Sequence, residues 1–338
     1  MQQLENSGAA RKKGFGEAVR RVVGGDTIVV VTDENVKPLY LDEYMQDLQD
    51  AGFDVYSFTV APGEESKSGE VYLKLINYLA EIPLTRADAL VALGGGVVGD
   101  LTGFAAATYL RGIKVIQVPT TVLAVVDSSI GGKTAINLPA GKNLAGAFHQ
   151  PALIWRDVSL LESLPTDDYL NGMAEVIKYG VLGDTDLWLL LLNANTNNNN
   201  MPEIIERCVS IKNRIVAEDE FDNGTRQLLN FGHTIGHAIE RASDFAVSHG
   251  FAVAKGMAAM ADISARQGWC TEECAGEIRT LLENYGFDLS IDYSMDELYN
   301  IMLSDKKRKG GVIDLVVPEY IGKCVLKRVT TEELKDIL

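Results

Sequence analysis

The sequence predicts an α/β protein with a mostly parallel sheet domain over residues 1–162 and a mainly α-helical domain over residues 163–338. Three observations carry this. Five short apolar runs in the first half alternate with helically periodic segments, the pattern of parallel strands covered on both faces. From about residue 163 the strand signal disappears and four long segments in succession read as helices. A chain of 338 residues is long enough for two such cores.

Taken in order, "DTIVVVTDENV" is a β-branched run that ends in turn residues, and "LYLDEYMQDLQDAG" follows with helical periodicity and a glycine stop. "DVYSFTV" is the next strand, "SGEVYLKLINYLAEI" a helix and "ADALVAL" a strand; "GIKVIQVPTT" and "PALIW" supply two more. The helices of the second half are "TDDYLNGMAEVIKYGVL", "PEIIERCVSIKNRIVAEDE", "TRQLLNFGHTIGHAIERAS" and "HGFAVAKGMAAMADISARQG", with a β-like stretch, "GVIDLVVPEYIGKCVLKRV", near the end. "NANTNNNN" (193–200) reads as a polar loop between two helices, without a function. The cleft between the two domains is the default place for a site.

Composition narrows the partners. A net charge of −16 argues against nucleic acid and anionic membrane, which such a field repels. No apolar run approaches the ~20 residues that span a bilayer. The opening "MQQLENSGAARKKGF" lacks the apolar core of a secretory signal and reads as a partly frayed tail on a cytoplasmic protein. Cys208, Cys270, Cys274 and Cys324 form no zinc pattern and are expected to be reduced, structural thiols.

Three features carry chemistry. Gly94, Gly96 and Gly99 have G-x-G-x-x-G spacing after a strand and before a helix, which lets backbone N–H groups approach a pyrophosphate at a helix N-terminus. The acidic residue that should follow roughly twenty positions later, for the ribose, is missing. The same spacing suits a tight strand-to-helix turn with no ligand equally well, and a dinucleotide bound here would not have the ordinary Rossmann arrangement. "VDSSIGGKTAINLPAGKNLAGAFHQP" (126–151) gathers Asp127, Lys133, Lys142 and Asn143 among glycines; it is too glycine-rich for a helix or regular strand and reads as a long functional loop. With Lys178, Lys212 and Arg226 it offers local cations for an anionic ligand in an acidic protein. Finally, "LNFGHTIGHAIE" places His233 and His237 four residues apart, but without the adjacent glutamate of a zinc-protease helix. A metal would need a further ligand, for which His249 and Glu175 are candidates; Lys178 shares a helical face with Glu175.

Together, "PGEESK", "GGGVVGDLTGF", "RGIKVIQVPTTVLAVVDSSIGGKTAIN", "GKNLAGAFHQP", "GMAEVIKYG", "RQLLNFGHTIGHAIE", "HGFAVAKGM" and "DKK", in this order over residues 27–322, resemble the 3-dehydroquinate synthase family of sugar phosphate cyclases. The resemblance implies that Glu175, His233 and His249 hold zinc (cobalt being an alternative) and that His237 faces substrate. It implies a substrate site of Asp127, Lys133, Asn143, Lys178, Lys212, Arg226 and Asn230, with Lys306 or Lys307 of the "DKK" run, Lys307 being preferred. Arg111 would reach the substrate phosphate of a neighbouring subunit, which implies a homodimer. NAD+ would be bound by Glu64, Lys67, Gly95, Gly96, Asp100, Thr120, Thr121 and Lys142, with Glu64 and Lys67 upstream of the glycine loop standing in for the missing downstream acid. Ala135 and Ile136 depart from the glycine and valine common in the family.

The activity so implied is conversion of a phosphorylated seven-carbon sugar acid, 3-deoxy-D-arabino-heptulosonate 7-phosphate, into 3-dehydroquinate and phosphate, a lyase step of the shikimate pathway to chorismate and the aromatic amino acids. The competing readings are another sugar phosphate cyclase such as 2-deoxy-scyllo-inosose synthase, a metal-dependent polyol dehydrogenase of the glycerol dehydrogenase type, and a nucleotide-binding protein without catalysis.

Overall fold

The computed structural model describes residues 5–6, 14–193, 200–222, 224–306 and 311–338. Expectations for most of the first fifteen residues, for 194–199 of the asparagine-rich loop and for Lys307 lie outside these. The chain divides into two compact units, Met1–Pro165 and Thr166–Leu338.

In the first unit, β1 (Glu5–Asn6) precedes α1 (Phe15–Val22), β2 (Thr27–Asp33), α2 (Asp42–Asp50), β3 (Asp54–Val60), α3 (Gly69–Ala80), β4 (Ala89–Gly94), α4 (Gly96–Thr108) and β5 (Lys114–Pro119). Then come β6 (Lys133–Leu138), β7 (Gly141–Phe148), β8 (Leu153–Ile154) and β9 (Arg156–Asp157), the last pairing in parallel with β1. The five expected strands form one parallel sheet in the order β3-β2-β4-β5-β8. Their continuous apolar runs follow from burial on both faces. Ile28 and Val30 of β2 join Val91, Leu93, Ile116 and the residues of α1 and α2 in one core. Val29 and Val31, pointing the other way, join Leu90, Ala92, Val115 and residues of α3 and α4 in a second. The period-2 alternation of a strand thus feeds two cores at once.

One expectation fails in this unit. Residues 133–148 are not an irregular loop but an antiparallel hairpin of β6 and β7. Its glycines serve close approach: a Cβ on Gly146 would lie 2.2 Å from the carbonyl oxygen of Thr134, and one on Gly103 of α4 would lie 2.3 Å from Thr134 Cγ2. Glycine content therefore marked tight packing of hairpin on helix, not absence of regular structure.

The second unit holds α5 (Thr166–Gly183), α6 (Thr185–Leu192), α7 (Met201–Glu218), α8 (His233–Ala242), α9 (His249–Arg266), α10 (Glu272–Asn284) and α11 (Met295–Lys306), then the antiparallel hairpin of β10 (Val312–Tyr320) and β11 (Lys323–Thr330), and α12 (Thr331–Ile337). Every residue of α5 from Gly172 to Leu182 is buried, charged ones included. The expected helix over 225–243 is two elements. A 3₁₀ turn, Thr225–Asn230, ends before Gly232, whose φ of 78° restarts the chain as α8 at His233. Among the described residues, no helix is long and apolar enough to cross a membrane.

Candidate metal centre and nucleotide loop

In the second unit three helices converge because glycines let their backbones touch. A Cβ on Gly256 of α9 would lie 2.1 Å from Gly232 O and 2.8 Å from Gly236 N of α8. One on Gly250 would lie 1.9 Å from Asn171 O of α5, and Gly250 N donates to Asn171 Oδ1 at 2.6 Å. This approach brings Glu175, His233 and His249 together, with their ligand atoms within 4.8 Å of one another. Glu175 Oε1 lies 3.4 Å from His233 Nε2 and 3.5 Å from His249 Nε2, and its other oxygen pairs with Lys178.

The electrostatics suit a cation. Glu175 is fully buried, and neither oxygen has a hydrogen-bond partner of ordinary geometry. Burial alone would raise its pKa, but Lys178 and the two imidazoles outweigh burial and hold it well below the usual carboxylate range. Burial, reinforced by Lys178, lowers His233 to about 3, leaving it a neutral ligand. Its Nδ1 is within 3.1 Å of Phe231 O, so Nε2 is the atom free to face Glu175. For His249 burial lowers the pKa, and its bonds to Glu175 and Glu240 prevail and raise it to about 10. His249 Nδ1 meets Glu240 Oε2 at 3.2 Å, and Glu240 itself is buried. A buried carboxylate paired with Lys178 and facing two imidazole nitrogens is a donor set that fits a divalent ion of the zinc type.

A second group, His237, Glu240 and His249, is also compact. It shares His249, but its Glu240 is already occupied with His249 Nδ1, and His237 is exposed with Nε2 4.0 Å from Glu240. The first group has the more buried carboxylate, and His237 belongs to the second group and not to the first.

A cavity of ≈ 270 Å³ is lined by Asn230, His233 and His237 together with Asp222, Gln227 and Asp314. Lys178, Lys212 and Arg226 are all buried cations, and none belongs to that lining among the described residues. Arg226 donates from Nη1 to Glu220 O at 2.5 Å and from its backbone to Asp219 at 3.1 Å. Glu240 was not a sequence candidate, because its bond to His249 Nδ1 runs from one helix to the next.

In the first unit, Gly94 closes β4, Gly95 caps α4 and Gly96 opens it. A Cβ on Gly95 would lie 3.1 Å from Thr121 Cγ2, and one on Gly96 3.0 Å from Ser128 Oγ, so side chains there would crowd the approach to the helix N-terminus. Thr120 is buried with no hydrogen-bond partner for Oγ1, while Thr121 Oγ1 accepts from Ala124 N at 3.1 Å. Buried Lys67 donates to Asp100 at 2.7 Å and to Asn143 Oδ1 at 2.6 Å, with Glu64 3.6 Å away. Nucleotide and substrate candidates thus share one network. Lys142 belongs to β7, Lys133 opens β6 and Asp127 sits in a turn of Ala124–Ser128. Arg111 is exposed with φ 68°, after Leu110 at φ 50°.

A parallel sheet with a glycine loop at its β4–α4 turn, in a chain whose buried Glu175 faces the half-buried His233 and His249, is compatible with a metal- and nucleotide-dependent enzyme, on a fold that sugar phosphate cyclases share with iron-containing alcohol dehydrogenases. A crystal structure of 2-deoxy-scyllo-inosose synthase complexed with carbaglucose-6-phosphate, NAD+ and Co2+ is 25% identical with a TM-score of 0.84, covering 99% of this chain and 95% of that one. The 2-epi-5-epi-valiolone synthase of Streptomyces hygroscopicus subsp. jinggangensis 5008, with NAD+ and Zn2+ bound, shares the fold at 22% identity and a TM-score of 0.88, with the same coverage. Residues 57–171 match the family model of the 3-dehydroquinate synthase N-terminal region and residues 172–308 that of the C-terminal region. The 3-dehydroquinate synthase of Streptococcus pneumoniae (strain JJA) is 42% identical over 331 residues, 96% of this chain and 93% of the relative. The chain belongs to the 3-dehydroquinate synthase family and is an enzyme, a carbon–oxygen lyase.

Proposed function

We propose that the chain converts 3-deoxy-D-arabino-heptulosonate 7-phosphate into 3-dehydroquinate and inorganic phosphate. The observation that carries this is the convergence of Glu175, His233 and His249 on one point, in a chain 42% identical to a synthase of that name. The net chemistry is oxidation of one hydroxyl, β-elimination of phosphate, return of the same hydride, ring opening and an intramolecular aldol closure.

A divalent metal at the triad supplies Lewis acidity toward a substrate hydroxyl, and NAD+ supplies the reversible hydride acceptor. The chain's residues do the positioning. Glu175, His233 and His249 hold the ion, and Lys178 offsets the carboxylate's charge. Lys178, Lys212, Arg226 and Asn230 orient the carboxylate and phosphate ends with Asp127, Lys133 and Asn143. Lys307, outside the described residues, joins them on sequence alone. His237, exposed one turn beyond His233, moves protons at the substrate. Glu64, Lys67, Asp100, Thr120, Thr121 and Lys142 bind the nucleotide around the amides of Gly95 and Gly96. Arg111 reaches the phosphate of a neighbouring copy, which makes the enzyme a homodimer, and its place is the cytoplasm; light scattering that finds a monomer at working concentration would remove the dimer assignment.

The test is phosphate release by purified protein with zinc and NAD+, with absorbance at 340 nm followed alongside. Release without net NADH, abolished by a chelator, is the expected outcome. NADH accumulating with a polyol would overturn it in favour of a dehydrogenase, and turnover of glucose 6-phosphate instead would make the chain a different cyclase.

A further inference from the structure

Asn137, on β6, is absent from every ligand assignment above, yet it bonds to three of the residues in them. Its backbone N–H donates to Lys67 O at 2.6 Å, and its neighbour across a parallel bridge is Ser68. Its Oδ1 accepts from the backbone N–H of Asn143 at 2.9 Å, and its Nδ2 donates to Glu64 Oε1 at 2.8 Å. The amide orientation follows from chemistry: Asn143 N–H needs an acceptor and the Glu64 carboxylate needs a donor, and only an unflipped carboxamide serves both.

Each end holds something that would otherwise be loosely set. Glu64 is largely exposed and lies in a short turn, Glu64–Ser66. Asn143 adopts φ 57°, a left-handed conformation that asparagine tolerates better than most non-glycine residues, and its backbone N–H is held there by Asn137 Oδ1. Lys67 closes the ring, donating to Asn143 Oδ1 and to Asp100.

We propose that Asn137 is a positioning residue shared by the dinucleotide-binding group (Glu64, Lys67, Asp100) and the sugar-phosphate-binding residue Asn143, holding Glu64 with its donor end and Asn143 with its acceptor end. The assignment of the two ligands rests on the proposed function.

The two ends can be separated by substitution. Asn137→Asp is isosteric, keeps the acceptor for Asn143 and sets a carboxylate against Glu64. It is expected to weaken NAD+ binding, read by calorimetry on the metal-loaded protein, about tenfold while leaving KM for the sugar phosphate within about twofold. Asn137→Ala removes both ends and is expected to raise both constants about tenfold. Leu138→Ala, an exposed neighbour on the same strand, is expected to change neither, and thermal melting of all three controls for folding. Unchanged NAD+ affinity in the aspartate variant, or an alanine variant in which the two constants do not rise together, would overturn the proposal. The NAD+ titration needs no turnover, so a wild-type protein that binds NAD+ but releases no phosphate overturns the proposed reaction alone.

Discussion

The polar network of the first unit and the triad of the second are built on opposite principles. Around Lys67 and Asn137, every bond described above joins a donor to an acceptor within the protein, much of it at the surface, so the network is complete before any ligand arrives. Around Glu175, a fully buried carboxylate pairs with Lys178 and faces two histidine ring nitrogens 3.4 and 3.5 Å away, a donor set that a divalent cation would complete.

The largest expected effect comes from breaking the incomplete site. Glu175→Gln removes the anionic ligand and strands Lys178 in the interior. Phosphate release is expected to fall roughly a thousandfold, and the stabilising shift in melting temperature on adding zinc to the apoprotein should vanish. Denaturant unfolding of the apoprotein should show a loss of about 3–5 kcal/mol from the unpaired lysine. Retained zinc stabilisation in this variant would mean that the second cluster, His237, Glu240 and His249, is the real site.

A smaller effect separates ligand from support. Glu240→Gln keeps the shape but weakens the bond that orients His249 Nδ1. Zinc affinity, measured against a competing chelator, is expected to drop about 10–100-fold, and the apoprotein melting temperature should fall as well, because the buried carboxylate is a charge partner of His249.

The smallest effect is expected in the satisfied unit, away from its ligands. Asp88 is buried and accepts from Thr27 N at 2.9 Å, Thr85 N at 2.6 Å and Thr85 Oγ1 at 2.7 Å. Burial raises its pKa, but these bonds outweigh it and the net shift is downward. A carboxyl depressed in the folded state contributes stability above its unfolded pKa of about 3.9 and loses it as pH falls through the lower folded value. Asp88→Asn should therefore cost about 1 kcal/mol at pH 7, and the gap from the wild type should close below about pH 4. A gap independent of pH would show that the carboxylate's charge is not what these donors recognise.

The five strands of the sheet were legible because burial on both faces leaves continuous apolar runs, as in "TIVVV" of β2 and "ALVAL" of β4. The β6–β7 hairpin was not, because Gly146 and Gly132 looked like looseness until the backbone oxygen facing Gly146 was seen. His233, His249 and Glu175 could be nominated from residue type and from resemblance. Glu240 and Asn137 could not, since their roles depend on a carboxylate meeting a ring nitrogen nine residues away and on a carboxamide reaching Glu64, seventy-three residues away.

By itself the sequence determined the class of fold, the five strands of the parallel sheet and the family, because periodicity, turn residues and motif order are local properties of the chain. Only the tertiary structure decided which histidine turns toward Glu175 and which side chains complete each group. Those outcomes depend on helix backbones brought into contact at Gly232, Gly236, Gly250 and Gly256, and distances between residues far apart in the chain are set by packing, which no local pattern records.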